Sequence, residues 1–517
     1  MIQRMQIQVQ GTVQGVGFRP FIYNLAIRHA LTGHVSNNSQ GVQIEVEGEE
    51  SAMEKFLSAM QREPPPLAYI ETIESRVNLS PIGYEDFAIL ESTTLEEKLV
   101  RISPDVATCA DCLAEIFDPS NRRYRYPFTN CTNCGPRFTI VQDVPYDRKM
   151  TTMKNFVMCD ECDREYHDPA NRRFHAQPNG CPKCGPQITF SDSSGIIANE
   201  DFALQHAIQK ILQGKIVAIK GIGGYHLCCD ALNDQAVSIL RNRKVREDKP
   251  FALMALSVNN VREFCEVNDA EENLLTSHKR PIVLLRKKSD CIIPESVAPR
   301  LNHLGFMLPY SPLHYLLLSD FDRPLVMTSG NISDEPIAYQ DDDAFLRLSH
   351  IADCFLIHNR KIHIRCDDSV ARVELQAPCI IRRSRGYAPD PITLPFEFDC
   401  PLLACGAELK NTFCLAKKNY AFVSHHIGDL ENLETLKSFE NGIMHFKKLF
   451  NVEPEAVAYD LHPEYLSTKY AKELSIPLKI GVQHHHAHIV SCMADNNIGG
   501  DVIGVAMDGL GYGLDGN

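Results

Sequence analysis

Apolar positions in residues 1–92 switch between period two and helical spacing. Ile7, Val9 and Val13 alternate with polar residues as one face of a strand does, and Val42, Ile44 and Val46 repeat the pattern. Between them, Pro20 to Ala30 carries apolar residues at helical spacing, and a second helix is predicted near Ala52 to Met60. Pro64-Pro65-Pro66 then breaks the chain before a strand around Ile70 to Val77. With Gly33 to Asn37 as one more strand, the order is strand, helix, strand, strand, helix, strand, the split βαβ plan of a ferredoxin-like sandwich.

From Phe202 onward the pattern is α/β. A helix reaches Leu212, Ile216 to Ile219 is a buried strand, and Lys220-Gly221-Ile222-Gly223-Gly224 follows directly. Pro389, Pro391 and Pro395 mark a linker, and a further unit opens near Leu402. In that unit a helix is predicted over about Leu433 to Leu449 and a buried strand over Val457 to Asp460. The chain of 517 residues is thus expected to be a multidomain α+β and α/β protein.

Between these regions lies a repeat. Cys109, Cys112, Cys131 and Cys134 recur fifty positions later as Cys159, Cys162, Cys181 and Cys184, with 18 residues between the two CxxC pairs in each copy. Both copies carry the same inner text, Asp118-Pro119 with Asn121-Arg122-Arg123, then Asp168-Pro169 with Asn171-Arg172-Arg173. Two CxxC turns joined by a loop supply four thiolates to one tetrahedral ion, so two structural Zn²⁺ sites are expected. A disulfide framework suits small, core-poor secreted chains, whereas 44% of these residues are hydrophobic and the N-terminal Met1 to Gln6 lacks a signal-peptide apolar run. A cytoplasmic protein is the expectation. The other eleven cysteines read as small apolar core residues.

Fifty-two Lys and Arg against 66 Asp and Glu leave a formal charge of −14, which argues against non-specific nucleic-acid binding. No stretch is long and apolar enough to span a bilayer, so no membrane partner is expected.

Gln14-Gly15-Val16-Gly17-Phe18-Arg19 lies between the first strand and the first helix. Glycines let successive N–H groups converge at a helix N-terminus, and a neighbouring guanidinium can grip a phosphoryl group bidentately. Together with Gly33 to Asn37, the segment resembles the acylphosphatase family over nearly the whole of residues 1–92. The resemblance implies that Arg19 binds phosphate beside the backbone of Gln14, Gly15, Val16, Gly17 and Phe18, and that Asn37 orients the attacking water.

Farther on, Arg241, Arg243, Lys244, Arg246 and Lys249 concentrate positive charge at a helix end, and Thr328-Ser329-Gly330-Asn331 and Arg382-Arg383-Ser384-Arg385 follow. In an acidic chain, this much basic charge beside small polar turns suggests a triphosphate pocket. The runs resemble the YrdC/Sua5 family, which makes carbamoyl-type adenylates from ATP. The resemblance implies nucleotide contacts for Lys244, Arg246, Lys249, Ser329, Asn331, Arg383 and Arg385, with Mg²⁺ on the phosphates. One departure stands out: Lys220-Gly221-Ile222 replaces the family's strand-ending Pro-Thr-Glu, so the acyl pocket need not take a threonine-derived substrate.

In His484-His485-His486-Ala487-His488, a helix would put His484 and His488 on one face, able to hold one metal. This unit resembles the Kae1/TsaD family of actin-like ATPases, in which a His-x-x-x-His pair holds a catalytic metal, here iron or zinc. Asp508 to Asn517 reads as a glycine-rich turn opening a strand pair. The resemblance implies a further half beyond it that supplies another acidic ligand, so the chain is expected to be a fragment unable to complete transfer.

In this order the parts resemble the carbamoyltransferase family of [NiFe]-hydrogenase maturation. The expected layout is an acylphosphatase-like domain over 1–92, tandem zinc modules over 93–198, a YrdC-like adenylating domain over 199–391 and a partial Kae1-like domain over 400–517. The resemblance implies carbamoyl phosphate and ATP as substrates, carbamate and carbamoyl-adenylate as intermediates, and the C-terminal cysteine of a partner, HypE, as the acceptor.

Overall fold

The computed structural model describes residues 2–13, 15–38, 41–90, 102–144, 146–192, 195–332, 335–509 and 511–513. It divides into two compact units, 1–187 with 311–313, and 188–310 with 314–517.

The first unit opens with the predicted element order. Strands Ile2–Thr12, Thr32–Asn38, Gly41–Glu49 and Tyr69–Leu79 alternate with helices Phe18–Arg28 and Glu50–Arg62. In the sheet, Ile2–Thr12 lies between Tyr69–Leu79 and Gly41–Glu49, and Thr32–Asn38 follows outside them. A fifth strand, Phe87–Ile89, pairs in parallel with Thr32–Asn38; at three residues it is too short to leave a periodic signal. Ile22 and Leu25 of one helix and Phe56 of the other share a core with Ile7, Val9 and Ile44, all essentially inaccessible to water. Each such side chain contributes about 1.5–3 kcal/mol by burial.

The cysteine repeat is a structural repeat as well. Helices Ala110–Phe117 and Asp160–His167 each begin one residue after a first cysteine, so Cys109 and Cys159 are N-caps. Eight residues past each helix the backbone turns left-handed, at Arg125 (φ 55°) and at His175 (φ 51°). That turn aims the amide of each residue back at the helix end, onto Ile116 O at 2.9 Å and Tyr166 O at 3.0 Å.

In the second unit an eleven-stranded mixed sheet holds the neighbours Leu325–Ser329, Tyr225–Asp230, Val217–Lys220 and Cys354–His358 in that spatial order. Its core is the large apolar cluster around Leu227, Leu253, Val283, Phe306 and Val326. A six-stranded sheet follows. Leu402–Ala404, Cys414–Lys417 and Tyr420–Val423 form an antiparallel meander, and Ala456–Asp460 and Leu478–Val482 add in parallel. Helix Leu433–Phe450 buries Phe439, Ile443 and Phe446. Arg365 joins the two sheets of this unit, donating to Ser438 Oγ at 2.6 Å and to Ile427 O.

Of the run Asp508 to Asn517, expected to open a strand pair, Leu510 and residues 514–517 lie outside the described residues, and the described ones from Asp501 onward are not in a strand. One expectation is corrected. Among the cysteines outside the repeat, Cys379 and Cys492 are exposed instead of being core residues. Among the described residues, no helix is long and apolar enough to cross a membrane.

Candidate functional site

The residues singled out above fall into four groups. The first is the turn before helix Phe18–Arg28. Val16 and Phe18 are buried and anchor it, while Gly15 (φ 71°) and Gly17 (φ 77°) take left-handed conformations that a side chain would strain. The turn therefore presents backbone N–H groups at a helix N-terminus, with Arg19 in the first helical turn. Burial lowers the Arg19 pKa, with Asp147 and Tyr166 opposing. Strand register pairs Val9 with Val42 and Val42 with Asn37, which brings Asn37 to the end of the sheet from which the turn departs. Asn37 is buried and its Oδ1 makes no hydrogen bond among the described residues, the state expected of a group waiting for a water or substrate donor. Gln14 lies outside the described residues. The first zinc knuckle packs over this turn: a Cβ built on Gly17 would meet Thr132 Oγ1 at 3.2 Å.

The second group comprises the two cysteine clusters. The four sulfurs of Cys109, Cys112, Cys131 and Cys134 lie within 4.8 Å of one another, as do those of Cys159, Cys162, Cys181 and Cys184. Individual Sγ–Sγ separations of 3.5 to 3.9 Å match the edge of a tetrahedron of Zn–S bonds, about 3.8 Å, and none of these cysteines is disulfide-bonded. The donor set fits zinc, and four sulfurs leave no open position for catalysis.

The third group lies in the eleven-stranded sheet. Lys244 is fully buried at the end of helix Asp234–Arg243, and burial drives its pKa well below the ordinary lysine value. Its Nζ donates to Ser329 O at 2.8 Å and Asn331 Oδ1 at 2.6 Å, so the helix end and the Ser329 to Asn331 turn, far apart in sequence, form one contact. Arg246 donates to Lys249 O at 2.9 Å and Pro250 O at 2.7 Å and stacks on Phe251. Arg383 donates to Tyr387 O at 3.1 Å and to Asp390 O. Arg385 is buried, donating to Asp368 Oδ1 at 2.7 Å and to the carbonyls of Lys279 and Arg280 at 3.0 and 2.7 Å, with its guanidinium over the Tyr310 ring.

The fourth group sits at the start of helix His484–Asp495. His484 Nε2 and His488 Nε2 are 3.2 Å apart, and Asp508 Oδ2 lies 2.9 Å from the first and 3.4 Å from the second. Asp508 was not among the expected ligands, because an isolated Asp in a Gly-rich run carries no periodic signal. On the far side, His484 Nδ1 meets Asp460 Oδ2 at 2.6 Å, which fixes the ring and leaves Nε2 for a metal. Two imidazoles and a carboxylate suit a first-row divalent ion.

Known families match the chain in separate stretches. Residues 5–89 match the family described as Acylphosphatase, 108–141 and 158–191 the HypF finger, 209–384 the Sua5/YciO/YrdC family described as Telomere recombination, and 398–495 the HypF Kae1-like domain. Carbamoyltransferase HypF of Synechocystis sp. is 48% identical over 100% of this chain and 67% of its own length. A probable carbamoyltransferase HypF of Methanocaldococcus jannaschii is 44% identical over 99% of this chain and 68% of its own length. A crystal structure of full-length HypF in the phosphate- and nucleotide-bound form superposes with a TM-score of 0.94 at 52% identity, covering 100% of this chain and 68% of that one. The chain thus spans about two thirds of the length of these relatives.

Proposed function

The chain belongs to the HypF carbamoyltransferase family, whose known role is carbamoylation of HypE for hydrogenase maturation, and on that premise we propose how its own residues divide the work. Carbamoyl phosphate binds the turn of Gln14, Gly15, Val16, Gly17 and Phe18, with Arg19 neutralising the phosphoryl oxygens. Water held by Asn37 attacks phosphorus, the P–O bond to the carbamoyl group breaks, and carbamate and phosphate leave. A charge-delocalised phosphoryl group needs electrostatic stabilisation more than covalent help, which a backbone nest and a guanidinium supply.

Carbamate oxygen then attacks the α-phosphorus of ATP, expelling pyrophosphate and forming carbamoyl-adenylate. Lys244, Arg246, Lys249 and Arg383 counter the triphosphate charge, Ser329 and Asn331 orient it, and Arg385 acts through Asp368. Mg²⁺, when bound, neutralises the leaving pyrophosphate. In the last stage a thiol of the acceptor, the C-terminal cysteine of HypE, attacks the carbamoyl carbon and AMP leaves, with the His484, His488 and Asp508 centre in the transfer unit. The two cysteine clusters hold zinc as scaffold. We assign the protein to the cytoplasm, where reduced thiols persist for metal binding.

The observation that carries this reading is the contact of buried Lys244 with Ser329 and Asn331, set in the same chain as the Gly15 to Arg19 turn. The test is exchange of pyrophosphate into ATP that depends on carbamoyl phosphate. Exchange is expected to collapse in Arg19→Ala and to return when carbamate is supplied from ammonium bicarbonate. Exchange that ignores both carbamoyl phosphate and carbamate would reject the reading.

A further inference from the structure

The two cysteine copies agree in their Asn-Arg-Arg text and their Cys-Gly-Pro ends but differ inside the second CxxC turn, where Thr132-Asn133 of the first copy correspond to Pro182-Lys183 of the second. The first copy's pair is the one that reaches the phosphate turn. A Cβ built on Gly17 would meet Thr132 Oγ1 at 3.2 Å and Asn133 Oδ1 at 3.4 Å, so the Asn133 carboxamide borders the space over that glycine. The cysteine repeat faces the phosphate-binding guanidinium as well, since Asp147 and Tyr166 are the groups whose charge acts on Arg19.

The backbone under Asn133 is fixed. Thr132 donates from both its N–H and its Oγ1 to Arg172 O, each at 3.1 Å, and Arg137 Nη2 donates to Cys131 O and Thr132 O, each at 3.0 Å. The Asn133 N–H donates to Cys131 Sγ at 3.4 Å. The side chain is less committed: Asn133 is partly exposed, and among the described residues its carboxamide has no hydrogen-bond partner. A short polar side chain on a rigid loop, with its acceptor and donors unused, loses little entropy when a ligand orders it.

When the free oxygens of a phosphoryl group turn toward the backbone N–H groups and Arg19, the bridging oxygen and its acyl group point out of the turn, toward its rim. The carbamoyl group differs from other small acyl groups in carrying an NH₂ beside its C=O. A carboxamide matches both halves of that uncharged group, Oδ1 accepting from the NH₂ and Nδ2 donating to the C=O. Lysine, which the second copy has at this place, offers donors only, and its charge is suited to the phosphate end instead. The divergence of the two copies thus puts a group fitted to an amide where the first copy borders the phosphate turn.

We propose that Asn133, from the first cysteine module, recognises the carbamoyl group of carbamoyl phosphate at the rim of the Gly15 to Arg19 turn, its carboxamide pairing with H₂N–C=O, and so selects this substrate over acyl phosphates that lack an N–H. Asn133 forms no bond to phosphorus and carries no proton; the bond broken is still the P–O bond to the carbamoyl group. Thr132 and Arg137 are positioning residues that hold the loop in place. The inference rests on the phosphate-releasing role proposed above for this turn.

The experiment measures phosphate release by the whole chain from carbamoyl phosphate and from acetyl phosphate, its methyl counterpart. The unmodified chain is expected to show the higher kcat/KM on carbamoyl phosphate. Asn133→Ala should shrink the carbamoyl-to-acetyl ratio of kcat/KM about fivefold, equivalent to one neutral hydrogen bond, with the loss falling on carbamoyl phosphate. Asn133→Lys, which gives the first turn the residue that the second copy carries, should shrink the ratio as well and decides the matter if Asn133→Ala does not fold. A merely structural role would depress release from both substrates alike and leave their ratio unchanged, which would overturn the inference, as would an unmodified chain that does not distinguish the two. Absence of phosphate release from either substrate by the unmodified chain would instead reject the role of the turn itself.

Discussion

Arg172 donates from Nη1 to the Sγ of Cys112 at 3.2 Å, reaching from the second cysteine module into the first. The reciprocal contact exists fifty residues earlier, where Arg122 donates from Nη2 to Cys162 Sγ at 3.3 Å. Each arginine also meets a carboxylate of the other module, Glu115 for Arg172 and Glu165 for Arg122, both at 2.7 Å. The identical Asn-Arg-Arg text of the two copies is thus a pair of exchanged clasps.

A guanidinium on a zinc thiolate offsets its charge and orients the ligand, and losing such a contact typically costs 10–100-fold in metal affinity. Arg172→Met should therefore weaken zinc at Cys109, Cys112, Cys131 and Cys134 by about that factor and spare the second site. Arg122→Met should do the reverse. Competition with a chromogenic chelator would resolve the two sites as two phases; equal weakening of both sites by either variant would contradict the exchanged arrangement.

Gly17→Ala tests the phosphate turn. The position has φ 77°, which costs about 1–2 kcal/mol for a residue with a Cβ, and that Cβ would press on Thr132 at 3.2 Å. Phosphate release from carbamoyl phosphate should fall at least about tenfold. Gly15→Ala shares the left-handed backbone, φ 71°, but its Cβ meets nothing within 4 Å, so its loss should be the smaller. Equal losses would remove the zinc knuckle from the explanation.

Much of this architecture was legible in the chain, and the failures have physical reasons. Val9, Val42 and Phe56 announce their elements because one buried face imposes a period. The cysteine ligands are legible because thiolates and spacing leave few other uses. Asp508 was not legible, since its meeting with His484 depends on how an extended, unpaired run folds back. The clasps were visible as repeated letters, but not as contacts between the copies.

Lys244→Met removes a buried ammonium whose hydrogen bonds define the Ser329 to Asn331 turn. Three acceptors, Ser329 O, Asn331 O and Asn331 Oδ1, would lose the donor that ties them together, so the turn should lose its shape. ATP binding, read from a fluorescent analogue, is expected to weaken at least about tenfold, while the zinc content stays the same. Unchanged ATP affinity would place the nucleotide elsewhere.

His175 provides a pH signature in the first unit. Burial, with the Arg19 charge next in importance, lowers its pKa from 6.5 to about 4. The unfolded chain therefore binds the proton more readily between those values, so stability is fully present above pH 6.5 and declines as pH falls toward about 4. The loss should be about 1–2 kcal/mol, below the full linkage value because the ring keeps some water contact. In His175→Gln that part of the decline should vanish in urea titrations at pH 7 and 4.5; an identical slope would exclude His175 as its source.

The histidine centre makes the last prediction. His484 and His488 are one helical turn apart, and Asp508 closes the third side at 2.9 Å from His484 Nε2. A carboxylate adds charge that two neutral imidazoles lack, so Asp508→Ala should release the ion while both cysteine sites keep theirs. Elemental analysis should then show one metal fewer per chain, and anomalous scattering at the iron and zinc edges would show which ion had left. Asp460→Asn acts differently. It keeps a hydrogen-bond acceptor for His484 Nδ1, where the distance is 2.6 Å, but removes the charge that makes the imidazole a stronger ligand, so affinity should fall about 10–100-fold without abolishing the site. A metal content unchanged by Asp508→Ala would mean that the two histidines hold the ion with some other group.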